Sequence, residues 1–198
     1  MRPFRTSTRA ASLVTLVMLI AGCASSPDVE YYTLSPMSAP GPDLEISLAV
    51  GPADFPRALN RVQIMTRTSA NRVTYDEFNR WAGPLEMDFV ATAATNLSRI
   101  LGSDRVVAYP VPPTFVIDYR VTFDVQRFDA DTAGNVTLET RWSLVDGKTG
   151  DVLELNQLST TKTASADNYE SSAAAHSAAV AELCEAIARR IQDRPSAG

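Results

Sequence analysis

The chain of 198 residues holds two cysteines, one histidine and two lysines, and each scarcity closes a class of function. A structural zinc needs four Cys or His ligands, and Cys23, Cys184 and His176 do not make such a set. Two cysteines also rule out a small domain stapled by several disulfides. Lys148 and Lys162 stand apart, and the net charge is -5 with a pI near 4.9. That balance opposes an electrostatic grip on nucleic acid, which needs clustered cations to displace counterions. No Gly-x-Ser-x-Gly elbow, P-loop, Gly-x-Gly-x-x-Gly or EF-hand loop occurs. No repeat period is visible. With 45% hydrophobic and 21% charged residues, what remains is one ordinary folded domain.

Long apolar runs are equally scarce. Arg2, Arg5 and Arg9 precede thirteen uncharged residues, Ala10 to Gly22, and Cys23 follows directly. A spanning helix needs about 20 apolar residues, so this run reads as a signal peptide over residues 1–22. The small residues Ala21 and Gly22 before Cys23 resemble a bacterial lipobox. That resemblance implies cleavage before Cys23 and several acyl chains on it, since one chain alone, at about 0.8 kcal/mol per methylene, holds only marginally. Ala24 stands where an inner-membrane retention aspartate would stand, so the outer membrane is the expected address. The mature part then carries fifteen basic and 23 acidic residues, a net charge of -8.

Residues 23–43, with Pro27, Pro36, Pro40, Gly41 and Pro42, read as the lipidated cysteine and an extended tether. Fully stretched, such a segment reaches roughly 60–70 Å. Within it, Glu30-Tyr31-Tyr32-Thr33-Leu34 is β-prone and aromatic, which predicts capture by the body as an added strand.

The body, residues 44–194, alternates strand and helix signals before a short tail, 195–198. Strands are predicted from Leu44 to Val50, ended by Gly51-Pro52, then from Val62 to Thr68 and from Arg72 to Phe78. Leu85, Phe89, Ala93, Leu97 and Ile100 trace a helical stripe that begins near Pro84 and stops at Gly102. From Phe115 to Asp129 apolar and polar residues alternate, and runs from Val136 and Val152 repeat the pattern, which predicts an antiparallel meander. A second stripe, Tyr169 to Ile191, closes on Arg189 and Arg190. Six or seven strands and two long helices predict a single-domain, two-layer α+β arrangement with a mixed, mainly antiparallel sheet. Asp118, Arg120, Asp124, Glu139 and Arg141 would lie on the sheet face away from the helices, either as cross-strand pairs or as an interface.

Chemistry is sparse. His176 lies among alanines on an apolar stripe, where a buried, satisfied imidazole is the plainer reading than a general base. Cys184 has no basic neighbour within two positions and reads as a small hydrophobe. No cofactor, metal or catalytic activity is expected. Recognition has better material: Arg61, Gln63 and Arg67 interleave with apolar residues, and Arg80-Trp81 stands just ahead of a helix. Arg and Trp dominate binding hot spots, although a tryptophan at a helix start also serves as a structural plug.

The lipobox, Tyr31-Tyr32-Thr33-Leu34, then Pro56-x-x-Leu59-x-Arg61-x-Gln63-Ile64-x-Thr66-Arg67 and Arg80-Trp81-Ala82-x-Pro84-Leu85 together resemble the PqiC (YmbA-type) family of ABC-transport auxiliary lipoproteins. The resemblance implies an α/β fold with a mixed sheet, similar to the N-terminal domain of TolB. It implies a periplasm-facing lipoprotein that works with MCE-domain proteins in lipid traffic between membranes, and ring-like self-association. On that reading Arg61, Gln63, Arg67, Arg80 and Trp81 are the candidate partner contacts. A lipid- or ligand-binding lipoprotein acting alone, and an envelope enzyme, are the competing classes.

Overall fold

The computed structural model describes residues 27–166 and 168–194. Among these, eight strands form one mixed sheet: β1 (Glu30–Tyr32), β2 (Leu48–Asp54), β3 (Gln63–Ser69), β4 (Arg72–Trp81), β5 (Val106–Ala108), β6 (Tyr119–Asp131), β7 (Asn135–Asp146) and β8 (Val152–Thr163). Two helices, α1 (Leu85–Leu101) and α2 (Tyr169–Gln192), pack on the same sheet face and on each other. No described helix is long and apolar enough to cross a membrane. The α/β, single-domain expectation holds.

The long strand β6 organises the sheet. One of its edges pairs antiparallel with β7 from Tyr119↔Asp146 to Ala130↔Val136. The other edge is divided. Its first half takes β2 in parallel, and its last residues take β3 in parallel through Thr66↔Ala130 and Arg67↔Asp131. The sheet therefore forks at β6: β5 lies outside β2 on one prong, and β4 and then β1 lie outside β3 on the other.

Several strands depart from their sequence-based bounds; β4, expected to end at Phe78, runs on to Trp81. The run from Leu44 was expected to end at Gly51-Pro52, yet β2 continues to Asp54 through a bulge between Val50 and Ala53. Gly51 makes this possible with φ of 102°, a conformation that costs glycine little; a Cβ there would sit 2.9 Å from Tyr109 Cβ. The strand expected from Phe115 starts at Tyr119, because Asp118 and its carboxylate are engaged with Ser47 instead of a ladder. A second bulge, between Val125 and Arg127, shifts the alternation by one. Beyond it Phe128 and Ala130 face the core while Arg127 and Asp129 turn to the other side. The three-residue β5 had no counterpart in the sequence reading.

Both helices have the termini their sequence suggested. Glu86 and Asp88 lie in the first turn of α1, where the helix dipole favours them, and Gly102 closes it in the left-handed conformation with φ of 62°. Asn168 caps α2 by accepting from the Ser171 N–H at 2.8 Å, and Arg189 and Arg190 occupy its last turn. Phe89 of α1 is fully buried and meets Phe123 and Phe128 edge-on at 5.3 and 5.7 Å. Each such burial contributes about 1.5–3 kcal/mol.

Residues 23–43 were expected to be a free tether, and most of that segment is not. β1 joins β4 in parallel as the anticipated added strand. The chain then runs as a strap over the helix layer. Leu34 is buried and its N–H donates to the Asp88 carboxylate at 2.7 Å; Ser35 N–H donates to Ser177 Oγ at 3.0 Å. Met37 and Ser38 N–H groups share the carboxamide oxygen of fully buried Asn96 at 3.0 and 3.1 Å. Gly41 N–H reaches Arg99 O at 2.9 Å, and Leu44 N–H reaches Leu101 O at 3.0 Å. A Cβ at Gly41 would lie within bonding distance of Ile100 O, so only glycine passes there. The proline composition that suggested a linker serves instead to keep an extended strap flat on the helices. Only the residues before β1 are left to separate Cys23 from the body, about 20 Å at full stretch.

Candidate partner-docking surface

The helices leave one sheet face uncovered. On β6 and β7 it carries Thr122, Asp124, Arg127, Asp129, Glu139 and Arg141, paired across the ladder as Asp124↔Arg141, Arg127↔Glu139 and Asp129↔Thr137. Leu155 of β8 stands 70% exposed beside them. After Phe55, which packs into the core against Phe89, the loop to Val62 passes over Tyr75 of β4, whose hydroxyl donates to Ala58 O at 3.1 Å.

The candidate contacts fall into different places. Cys23 and Ala24 lie outside the described residues. Arg61 is exposed, with its guanidinium 4.8 Å from the centre of the Tyr75 ring, a cation–π pair that fixes the loop without consuming the charge. Gln63 and Arg80 are brought side by side by the β3–β4 ladder and are half-buried. Arg80 donates from Nε to Glu77 O at 3.0 Å and pairs loosely with the Glu77 carboxylate at 3.8 Å. These three residues remain available to a partner.

Arg67 and Trp81 require correction. Arg67 sits at the far end of β3 and forms a two-pronged ion pair with Asp129, Nε to Oδ1 at 3.1 Å and Nη2 to Oδ2 at 3.0 Å. Asp129 is 1% exposed and also accepts from Arg127 Nε at 3.2 Å; Arg127 reaches on to Glu139 at 4.0 Å. The hydrogen-bonded carboxylate holds the Arg67 guanidinium above its ordinary pKa. This network clamps β3, β6 and β7 where β3 has only two ladder pairs to β6, so Arg67 is committed to the fold. Trp81 is 4% exposed and packs edge-on against the His176 ring at 5.3 Å. Its indole plugs the core and offers no surface.

Asp129 and Arg127 were not among the sequence-derived candidates. The signal was present: strict alternation from Phe123 and Val125 would place Asp129 on the apolar face. A charge there marks either a register shift or a buried pair, and the structure contains both.

His176 is buried, and its Nδ1–H donates to Ser172 O at 2.8 Å, while its ring lies 4.7 Å from Phe128. Burial pushes the imidazole down to about 4, against the opposing pulls of the Ser172 carbonyl and the Asp129 charge. In the unfolded chain the ring titrates near 6.5. Because the folded value is depressed, the unfolded chain holds more protons between these limits. Stability is full above about pH 6.5 and declines as pH falls toward about 4. We expect wild-type protein to lose about 2 kcal/mol between pH 7 and pH 5. Urea denaturation of His176→Gln at the two pH values checks this, since most of the loss should vanish in that variant. Cys184 is equally enclosed; burial pushes its thiol well above the ordinary range, and Sγ donates to Ala93 O at 3.6 Å.

Surface clefts include one of about 180 Å³ lined by Thr66, Thr74, Thr132, Asn168 and Ser172. Another of about 310 Å³ lies between β8 and α2, lined by Trp142, Asn156, Leu158 and Arg189. Both linings mix hydroxyl, carboxamide or guanidinium groups with apolar surface, and neither offers the continuous apolar wall that an acyl chain needs.

The α/β body thus leaves one charged sheet face uncovered by the helices. Residues 32–188 match the family described as "ABC-type transport auxiliary lipoprotein component", and the chain belongs to that family. It is thus an envelope lipoprotein, a membrane-anchored accessory of ABC-type transport. No curated protein matches the sequence. Among solved structures, one of an uncharacterized protein is 21% identical with a TM-score of 0.68, covering 83% of this chain and 99% of its own. A Xanthomonas campestris protein is 19% identical with a TM-score of 0.67, covering 80% of this chain and 92% of its own. At these identities the likeness establishes a shared fold.

Proposed function

We propose that this chain is the docking subunit of an MCE-type intermembrane lipid transport system, anchored through Cys23 in the outer membrane and facing the periplasm. The observation that carries the reading is the family match over residues 32–188. The structure supports a holding role over a catalytic one, because the sole histidine is sealed in the core with Nδ1 engaged and the sole described thiol is enclosed. The small volume and mixed lining of the clefts favour docking over lipid carriage. Contacts with the MCE partner, or with neighbouring copies in a ring, fall to the uncovered sheet face, with Arg61 and Gln63 at one end and Arg141 at the other. Membrane tethering makes weak contacts sufficient by raising the effective concentration of the partner.

Co-purification from detergent extracts tests this. An MCE-domain protein should be recovered with the native lipoprotein, and reversing charge with Arg61→Glu and Arg141→Glu should reduce its recovery several-fold while the thermal transition holds. Recovery of the lipoprotein without any MCE-domain protein would overturn the reading; undiminished recovery with both variants would move the docking site off this face.

A further inference from the structure

From the edge of the sheet at β1 we propose a second membrane contact: a patch of Val29, Tyr31, Phe78 and Arg80 that rests on the lipid surface holding the anchor. This inference rests on the reading that Cys23 is acylated.

The first argument is reach. With residues 30–43 fastened to the body as β1 and the strap, the chain between Cys23 and Val29 spans at most about 20 Å. The N-terminal end of β1 is therefore confined to a shell close to the headgroups, whatever the orientation of the rest.

The second argument is what that end displays. In the β1–β4 ladder Glu30 pairs with Asn79 and Tyr31 with Arg80, which sets Val29 and Phe78 one residue before the first pair on their respective strands. Val29 is 37%, Tyr31 64% and Phe78 40% exposed. Tyr32, the next residue on β1, turns the other way: its ring stacks near Tyr169 of α2 at 6.2 Å and its hydroxyl donates to Asn79 Oδ1 at 2.9 Å. Alternation therefore aims Tyr31 away from the helices, beside Arg80. A tyrosine, a phenylalanine, a valine and an arginine on one edge are a combination suited to a bilayer interface, where aromatic rings settle at headgroup level and an arginine keeps its charge in water while its stem lies along apolar surface. Glu77 already neutralises part of the Arg80 charge, so the apolar residues carry the contact on an otherwise acidic body.

The strap gives this contact a purpose. A body held at a single point samples many orientations, whereas an anchor plus a second interfacial contact fixes which way the sheet face points. A docking surface presented at a set angle loses less orientational freedom when it engages its partner.

The test uses the acylated, full-length lipoprotein in vesicles of phosphatidylethanolamine and phosphatidylglycerol. Cys184 is buried, so single cysteines introduced as Tyr31→Cys, Phe78→Cys and, on the opposite edge strand β8, Ser159→Cys accept a fluorophore selectively. The probes at 31 and 78 each leave the other aromatic residue in place. Both should be shielded from iodide and quenched by headgroup-depth nitroxide lipids several-fold more than the probe at 159. Equal exposure of all three probes, with Cys23 acylated and the protein floating with the vesicles, would overturn the patch and leave the anchor standing. Shielding from iodide without nitroxide quenching would overturn it in favour of a protein cover. An unmodified Cys23 and failure to float would overturn the anchor reading, and this inference with it.

Discussion

Trp81→Ala is expected to lower the unfolding free energy by about 3–5 kcal/mol, the range for truncating a fully packed large aromatic side chain. The indole is 4% exposed at the end of β4 and its backbone N–H donates to Val62 O at 2.7 Å, so it sits where the β3–β4 prong, β1 and α2 converge. Its edge contact with His176 at 5.3 Å links it to the chain of rings that runs through Phe128 to Phe89. Alanine would leave a cavity between elements far apart in sequence, which cannot collapse without moving the sheet. For a domain of this size the thermal midpoint should fall by on the order of 10 °C. Urea denaturation and a thermal scan check this; a loss below about 1 kcal/mol would place the ring at the surface after all. The same result explains why Trp81 cannot serve as a probe of docking, since any loss of partner in this variant would follow from loss of fold.

The second large effect belongs to the Arg67–Asp129–Arg127 network. Replacing both arginines with methionine keeps their stems and removes both charges, leaving the 1% exposed Asp129 carboxylate without a cation. The double variant is expected to lose about 3–5 kcal/mol, the cost of stranding a buried charge. Each single variant should cost far less, because Asp129 retains one guanidinium at 3.0 to 3.2 Å. The double loss should therefore exceed the sum of the singles, beyond the roughly 0.5 kcal/mol scatter of additive pairs. Adding Asp129→Asn to the double variant should restore much of the stability, since the stranded charge is then gone. Urea denaturation of the set decides the matter; additive singles, or no rescue by asparagine, would show that the clamp is not an ion network.

Much of the architecture was legible. The stripe from Leu85 to Leu101, with Pro84 before it and Gly102 after it, marks α1 because the features that start, amphipathically orient and stop a helix all act within a turn or two. The meander was legible because β6, β7 and β8 alternate over twelve or thirteen residues each, and the β-prone Glu30–Leu34 segment announced β1. The bulges at Gly51 and Gln126 were not, since each inserts one residue against a partner strand that periodicity does not see. Of the candidate contacts, Arg61, Gln63 and Arg80 keep accessible chemistry, whereas Arg67 and Trp81 are consumed by the fold. Residue type alone does not separate these groups: the guanidinium that grips Asp129 and the one that lies over Tyr75 belong to the same short run, Pro56 to Arg67.

What local order determined in this protein was its inventory: two amphipathic helices, a set of alternating strands, an acidic body poor in reactive side chains, and the family motifs from Tyr31 to Leu85. Tertiary structure alone decided where the proline-rich segment goes, which face of the sheet stays bare, and which charges are spent internally. Periodicity and capping are interactions among neighbours in the chain. Burial, pairing and the path of the strap depend instead on groups brought together from dozens of residues away, such as Asn96 under Ser38 or Asp129 under Arg67, and these partners exist only once the chain has folded.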